Sequence, residues 1–218
     1  AAGIEDITAV TGYRGEMIAE RGLPTISNER WQQTNMATSL FCAALQLQQG
    51  NWLVAYSDIV YHPDIPLALL DSQYDIAVAY DTMWLALWRQ RFDDPATDAE
   101  SFRVEHARIV DIGRRGVPLE SIQGQYLGLF RLSARGFEQL HDVWMDAQPA
   151  ERDRMDMTSL LARALVAGVA IGAVPTAGRW CEVDSDHDLA LYETLAQAAP
   201  VRAWKHDWRW LESSGCGA

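Results

Sequence analysis

Lysine is almost missing from this sequence: Lys205 is the only one among 218 residues, against seventeen arginines. Chemistry that needs a lysine amine within the first 200 residues is therefore excluded. Cysteine is scarce too. Cys42, Cys181 and Cys216 are odd in number, widely spread and never in a Cys-x-x-Cys pair, which argues against a disulfide framework or a structural zinc site and for reduced thiols. No run approaches the roughly 20 apolar residues of a membrane span. No basic-then-apolar leader opens the chain, so the expected address is cytoplasmic. Positive charge is in deficit as well, with a formal net charge of −12 and no clustered basic stripe. That balance opposes nucleic-acid binding and favours a small-molecule ligand.

What is present suits a packed domain. With 49% hydrophobic residues the chain can bury a sizeable core, expected over about residues 1–200 with a tail at 201–218. Short apolar runs alternate with amphipathic ones. Strands are expected near 6–12, 52–56, 75–80, 101–112, 124–132, 169–176 and 180–183. Helices are expected near 14–21, 35–48, 64–71, 133–147 and 156–167, and after the last strand. The charged link "PAERDRMD" joins two of the helices. This alternation predicts an α/β fold of three layers, with helices on both faces of a mixed, mainly parallel sheet. Ligands of such sheets lie beyond the carboxyl ends of the strands. The tail "RAWKHDWRWLESSGCGA" brings Trp204, Trp208 and Trp210 close together; their rings are expected to pack back on the domain, and the last six or so residues to be loose.

Two acids close strands. In "NWLVAYSDIVYHPD" the apolar run Trp52 to Tyr56 ends on Ser57 and Asp58, and in "RWCEVDSDHDLALYE" the last strand ends on Asp184. Ser185 is placed to cap the next helix, with Asp188 completing a capping-box pattern and Asp186 favoured by the helix dipole. Asp184 lies before that cap and has no such duty. Asp58 and Asp184 either cap and solubilise loops or converge on a hard cation such as Mg2+, which takes one or two carboxylates and completes its octahedron with water and phosphate. The five histidines, His62, His106, His141, His187 and His206, show no metal-ligand spacing and are assigned ordinary surface roles; "GRRG" at 113–116 is a basic turn, either solvated or set against a phosphate.

Six segments in order, "AAGIEDITAVTGYRGEMI", "NMATSLFCA", "VAYSDIVYHPD", "IQGQYLGLFRLS", "DMTSLL" and "GRWCEVDSDHDLALYE", resemble the nucleotidyltransferase family of sugar-nucleotide pyrophosphorylases, in its phosphocholine cytidylyltransferase-like branch. The resemblance runs to about residue 193. It implies a Rossmann-like nucleotidyltransferase fold and a Mg2+-dependent transfer of CMP from CTP to phosphocholine or a similar phosphorylated acceptor, with release of pyrophosphate. It carries the metal-ligand roles onto Asp58 and Asp184. Asn35 and Ser39, four apart on one helix face, match the segment beside the nucleotide, and Ser57 is counted with them; helix capping by Asn35 and packing by Ser39 stay open. Tyr80, Asp81, Trp84, Trp88, Tyr126 and Asp156 are placed around the acceptor, where aromatic faces and an acid suit a quaternary ammonium. The pair Trp84 and Trp88, at helical spacing, equally fits a core stripe.

The family's glycine-rich loop, with its Arg and Pro-Lys pair, is absent from these 218 residues. The expectation is of a fragment whose first strand and loop precede residue 1, inactive or weak by itself. Two other readings stay open: an enzyme activating a sugar 1-phosphate or aminophosphonate, and a non-catalytic nucleotide-sensing or partner-binding domain.

Overall fold

The computed structural model describes residues 3–198, 200 and 204–209. Its centre is a six-stranded sheet in the order β3-β8-β5-β9-β7-β6, built from β3 (Trp52–Ala55), β5 (Ile76–Asp81), β6 (Glu100–Glu105), β7 (Arg108–Arg115), β8 (Gln125–Leu132) and β9 (Ile171–Thr176). Two small two-stranded sheets stand apart: β1 (Ala9–Thr11) parallel to β2 (Thr25–Ser27), and β4 (Ile59–Tyr61) antiparallel to β10 (Trp180–Glu182). The helices are α1 (Glu16–Ala19), α2 (Met36–Cys42), α3 (Ala44–Leu47), α4 (Asp64–Leu70), α5 (Trp84–Arg91), α6 (Ala134–Met145), α7 (Pro149–Arg154), α8 (Met157–Val166) and α9 (Asp186–Ala198). Ile76, Ala77, Val78 and Ala79 of β5 are fully buried, as befits a strand covered on both faces. Helix α4 lies against β3, β8, β5 and β9, while α6 and α8 pack on each other and on β8 and β7.

The α/β architecture matches the sequence pattern, and the sheet is mixed, but little of its pairing is parallel. β3, β5, β9 and β6 run one way, yet only β5 and β9 are parallel neighbours; β8 and β7 are interleaved antiparallel. The segment 101–112, expected as one piece, is a hairpin. His106 and Ala107 both take positive φ, 49° and 60°, the geometry of a two-residue turn that matches strand twist and is usually signalled by Asn-Gly or Asp-Gly. The helix expected over 35–48 breaks at Ala43. The "charged link" is itself helix α7, with Pro149 at its first position and the Glu151 side chain accepting from the Gln148 N–H, a start that needs no apolar periodicity to be stable.

Cys42 and Cys181 are free thiols; Cys216 lies outside the described residues. Trp204 and Trp208 pack about Tyr192, with ring centroids 5.7 and 6.3 Å away. Trp210 and the last six residues lie outside the described residues. His62 and His206 are buried, against the surface roles expected of them. Among the described residues no helix is long and apolar enough to cross a membrane.

Candidate active site

The segments that carry Asp58 and Asp184 are neighbours because β4 stands apart from the main sheet and pairs with β10. After β3 the Tyr56 N–H still donates to the Gly128 carbonyl (2.8 Å), then the chain turns through the exposed Ser57 and Asp58 and enters β4. There Ile59, Val60 and Tyr61 pair with Glu182, Cys181 and Trp180. The ladder continues one step further, the Val183 N–H donating to the Asp58 carbonyl at 2.8 Å. The ribbon thus brings the acid after β3 beside the acid after β10. Partial burial and then the neighbouring Asp184 charge push the Asp58 carboxyl above its ordinary value, with Arg91 opposing. The two carboxylates thus sense each other's charge, which disfavours ionising both unless a cation offsets it.

Beneath them stands Arg91, which the sequence reading passed over. Its side chain, 1% exposed, reaches Glu182 Oε2 at 2.8 Å through Nη1, Asp184 Oδ2 at 2.6 Å through Nη2, and Asp188 Oδ1 at 3.0 Å through Nε. The guanidinium also lies over the Trp88 and Phe92 rings, 5.4 and 5.1 Å from their centroids. Glu182 was missed as well. Burial and the Asp184 charge raise its carboxyl, to about 7, against the pull of Arg91. For Asp188 the balance reverses: burial raises it, but hydrogen bonds and charge from Arg91 and the Ser185 hydroxyl hold it below its usual value. Asp188 accepts from Ser185 Oγ (3.0 Å), and its own N–H donates back to that oxygen (3.2 Å). It therefore combines the expected helix-start role with anchoring Arg91. Both signals were in the sequence. Glu182 and Asp184 share the period of two that puts alternate strand residues on one side, and Arg91 continues the stripe Trp84, Trp88 at i, i+4, i+7.

A cavity of about 200 Å³ adjoins these acids. Tyr56, Trp88 and Tyr126 supply aromatic surface, and Asp98, Glu100, Asp156 and Glu182 supply carboxyls. Trp88 Nε1 donates to Asp98 Oδ2 (3.1 Å). Asp156 caps α8, its Oδ1 accepting from the Ser159 N–H (2.8 Å). The Tyr56 ring fits against β8 because residue 128 is glycine at φ +76°; a Cβ there would come within 2.6 Å of the ring. Tyr126 is edge-on to Tyr56, centroids 5.7 Å apart. Its buried hydroxyl interacts with the Tyr56 hydroxyl but makes no hydrogen bond of good geometry among the described residues. Burial keeps both phenols protonated, raising their pKa. A hydroxyl so poorly satisfied in a cavity wall is expensive unless a ligand or water completes it.

Of the six residues expected around an acceptor, Trp88, Tyr126 and Asp156 line this cavity, and Tyr80, Asp81 and Trp84 do not. Tyr80 stacks on Phe102 (4.8 Å, 25°). Trp84, 3% exposed, meets Trp88 edge-on at 5.8 Å and serves as core behind it. Asp81 is fully buried, and both its oxygens are taken by Met83, Gly178, Trp180 and His206, leaving none for a substrate. Asn35 caps α2, accepting from the Met36 N–H at 2.7 Å and donating to the Arg154 carbonyl; Ser39 Oγ accepts from Asn28 Nδ2 at 3.1 Å. Both side chains thus have structural partners. Arg115, from the basic turn, lines the cavity, 3.4 Å from Glu100.

Among the described residues no group of three or more His, Cys, Asp or Glu is arranged to hold a metal ion by itself. Asp58 and Asp184 are a pair of hard oxygen donors, and Asp184 Oδ1 has no hydrogen bond among the described residues. This set fits Mg2+, which needs one or two carboxylates and draws its remaining ligands from water and phosphate.

No family model matches the chain. A curated relative, the CTP:phosphoglutamine cytidylyltransferase of Campylobacter jejuni, is 29% identical over 209 residues, covering 87% of this chain and 81% of that protein. Among solved structures, the inositol-1-phosphate CTP transferase from T. maritima superposes with a TM-score of 0.67 at 18% identity, covering 89% of this chain and 77% of that one. A putative glucose-1-phosphate thymidylyltransferase from Bacillus anthracis, in complex with a sucrose, gives 0.67 at 14% identity, over 91% and 79%. The solved structures establish the shared fold, and the Campylobacter protein supplies the sequence relationship. In sequence the chain is similar to a cytidylyltransferase, and in fold it is similar to solved nucleotidyltransferases.

Proposed function

We propose that the enzyme transfers CMP from CTP to a small phosphorylated acceptor carrying an ammonium group, phosphocholine or a close analogue, with Mg2+ as cofactor. The observation that carries this is the shared wall between the two halves of the site. Glu182 lines the aromatic and acidic cavity and is held by the same guanidinium as Asp184. An acceptor in the cavity would therefore have its phosphate near the paired acids. Aromatic faces with carboxylates around them suit a cation that water solvates weakly.

In this reading the acceptor's phosphate oxygen bonds to the α-phosphorus of CTP as the bond to pyrophosphate breaks. Asp58 and Asp184 would hold Mg2+, which when bound neutralises charge on the triphosphate. Tyr56, Trp88 and Tyr126 orient the ammonium end, Asp156 and Glu182 balance its charge, and Tyr126 offers its hydroxyl to the ligand. The gain is in placement, since no protein nucleophile is called for.

Arg115 favours a second reading, an acceptor that also carries a carboxylate, as an amino-acid derivative of the kind named for the Campylobacter protein would. Pyrophosphate release with CTP and a panel of phosphocholine, phosphoethanolamine, a phosphorylated amino acid and glucose 1-phosphate separates these. Turnover of the sugar phosphate alone would remove the ammonium reading. Trp88→Ala is expected to raise the KM for phosphocholine about tenfold and to leave that for CTP within about twofold. Equal changes in both would mean simple loss of packing. Tyr126→Phe removes a buried hydroxyl that makes no well-formed hydrogen bond, so the unliganded protein should melt close to the parent. The acceptor KM should nevertheless rise several-fold, and an unchanged KM would place the hydroxyl outside the ligand's reach.

A further inference from the structure

We infer that Arg91 is a positioning residue for the paired acids: it fixes Asp184 by one oxygen and leaves the other for the cation. This rests on the reading of Asp58 and Asp184 as metal ligands. The ordinary alternative is a buried counter-ion whose only service is to the fold, and the geometry speaks for more. Asp184 is half exposed (50%) and ends a strand, so alone it would sample several rotamers. The guanidinium holds its Oδ2 at 2.6 Å with Nη2, and that same nitrogen also meets Asp188 Oδ2 at 3.3 Å. Nε holds the other Asp188 oxygen, and Nη1 holds Glu182. The fork cannot turn without breaking contacts to both β10 and α9.

The guanidinium is itself pinned. Trp88 and Phe92 lie against its face, and Asp188, 5% exposed at its side chain, receives the Asp184 N–H (3.2 Å) as well as the guanidinium. One positive charge leaves Asp58, Glu182, Asp184 and Asp188 well short of neutral, so room for a divalent ion persists. A planar fork is what this arrangement uses. Lysine offers the same charge as a single point and cannot hold three carboxylates at fixed angles.

The test is Arg91→Lys, compared with Asp58→Asn and Asp184→Asn in the full-length protein. Mn2+ affinity is read by electron paramagnetic resonance with CTP present, beside thermal melts and the Mg2+ concentration at half-maximal rate. Arg91→Lys is expected to weaken Mn2+ binding about tenfold, in the range found for groups that orient metal ligands, with half-saturating Mg2+ rising by the same factor. The loss should persist in 0.5 M salt (about 4 Å of screening length), where a mere change of charge would fade. Wild-type Mn2+ affinity in Arg91→Lys, while Asp58→Asn and Asp184→Asn lose theirs, would reduce Arg91 to a counter-ion. Unchanged affinity in all three would instead overturn the metal reading. If Arg91→Lys does not fold, Asp188→Asn loosens the fork from its far side; a several-fold, salt-resistant loss supports the inference, and undiminished affinity overturns it.

Discussion

Asp58→Asn is expected to lower kcat for nucleotide transfer about 10³-fold, which corresponds to roughly 4 kcal/mol of transition-state stabilisation. The substitution keeps size and shape and removes one of two charges that would face the triphosphate. Folding should survive, because the ionised side chain sits in the native state against burial and against Asp184. Removing that charge relieves both, so the melting temperature is expected to stay level or rise. This pairing of outcomes separates catalysis from stability. Asp186→Asn, exposed in the first turn of α9, changes charge nearby at a residue that does not line the cavity and should keep the parent rate. The measurement is CTP-dependent pyrophosphate release over a Mg2+ titration. A loss of less than about tenfold would take Asp58 out of the reacting centre.

Asp58 and Asp81 show how far a local pattern reaches. Both are acids that follow a short apolar strand, and nothing local distinguishes them. Asp58 is left at the surface because the chain after β3 diverges into the ribbon with β10. Asp81 is sealed in because Gly178, Trp180 and His206 arrive from far along the chain. Burial is a property of tertiary structure, so a local pattern could nominate both acids and rank neither. The strand and helix order was legible because periodicity is local: β5, β8, β9, α6 and α8 came out close to their expected spans. The hairpin at His106 and Ala107 and the break at Ala43 carry no Gly, Asn or Pro and left no mark to read. Arg91 and Glu182 were hidden for another reason. Charged residues in apolar stretches look like surface groups until the partners that desolvate them are known.

Asp81→Ala carries the largest expected change in stability, about 3–5 kcal/mol, or a fall of roughly 10 °C in Tm. The carboxylate is fully buried. Its Oδ1 accepts from the Met83 and Gly178 N–H groups at 2.8 and 2.9 Å; its Oδ2 lies 3.0 Å from Trp180 Nε1 and 2.7 Å from His206 Nε2. Truncation would leave these polar groups in the interior with no acceptor, each at a desolvation cost. The loss would also spread toward the site. Gly178 and Trp180 flank the connection from β9 to β10, where the Arg179 N–H donates to the Lys205 carbonyl at 2.8 Å, and β10 is the strand that carries Glu182 and leads to Asp184. Asp81→Asn keeps one oxygen but turns an amide toward donors, so it should lose a large part of the same stability. Urea denaturation of the two variants beside the parent measures this directly. A cost below about 1 kcal/mol for Asp81→Ala would mean that water replaces the carboxylate, and that the loop behind β10 is held by the strand ladder with β4 instead.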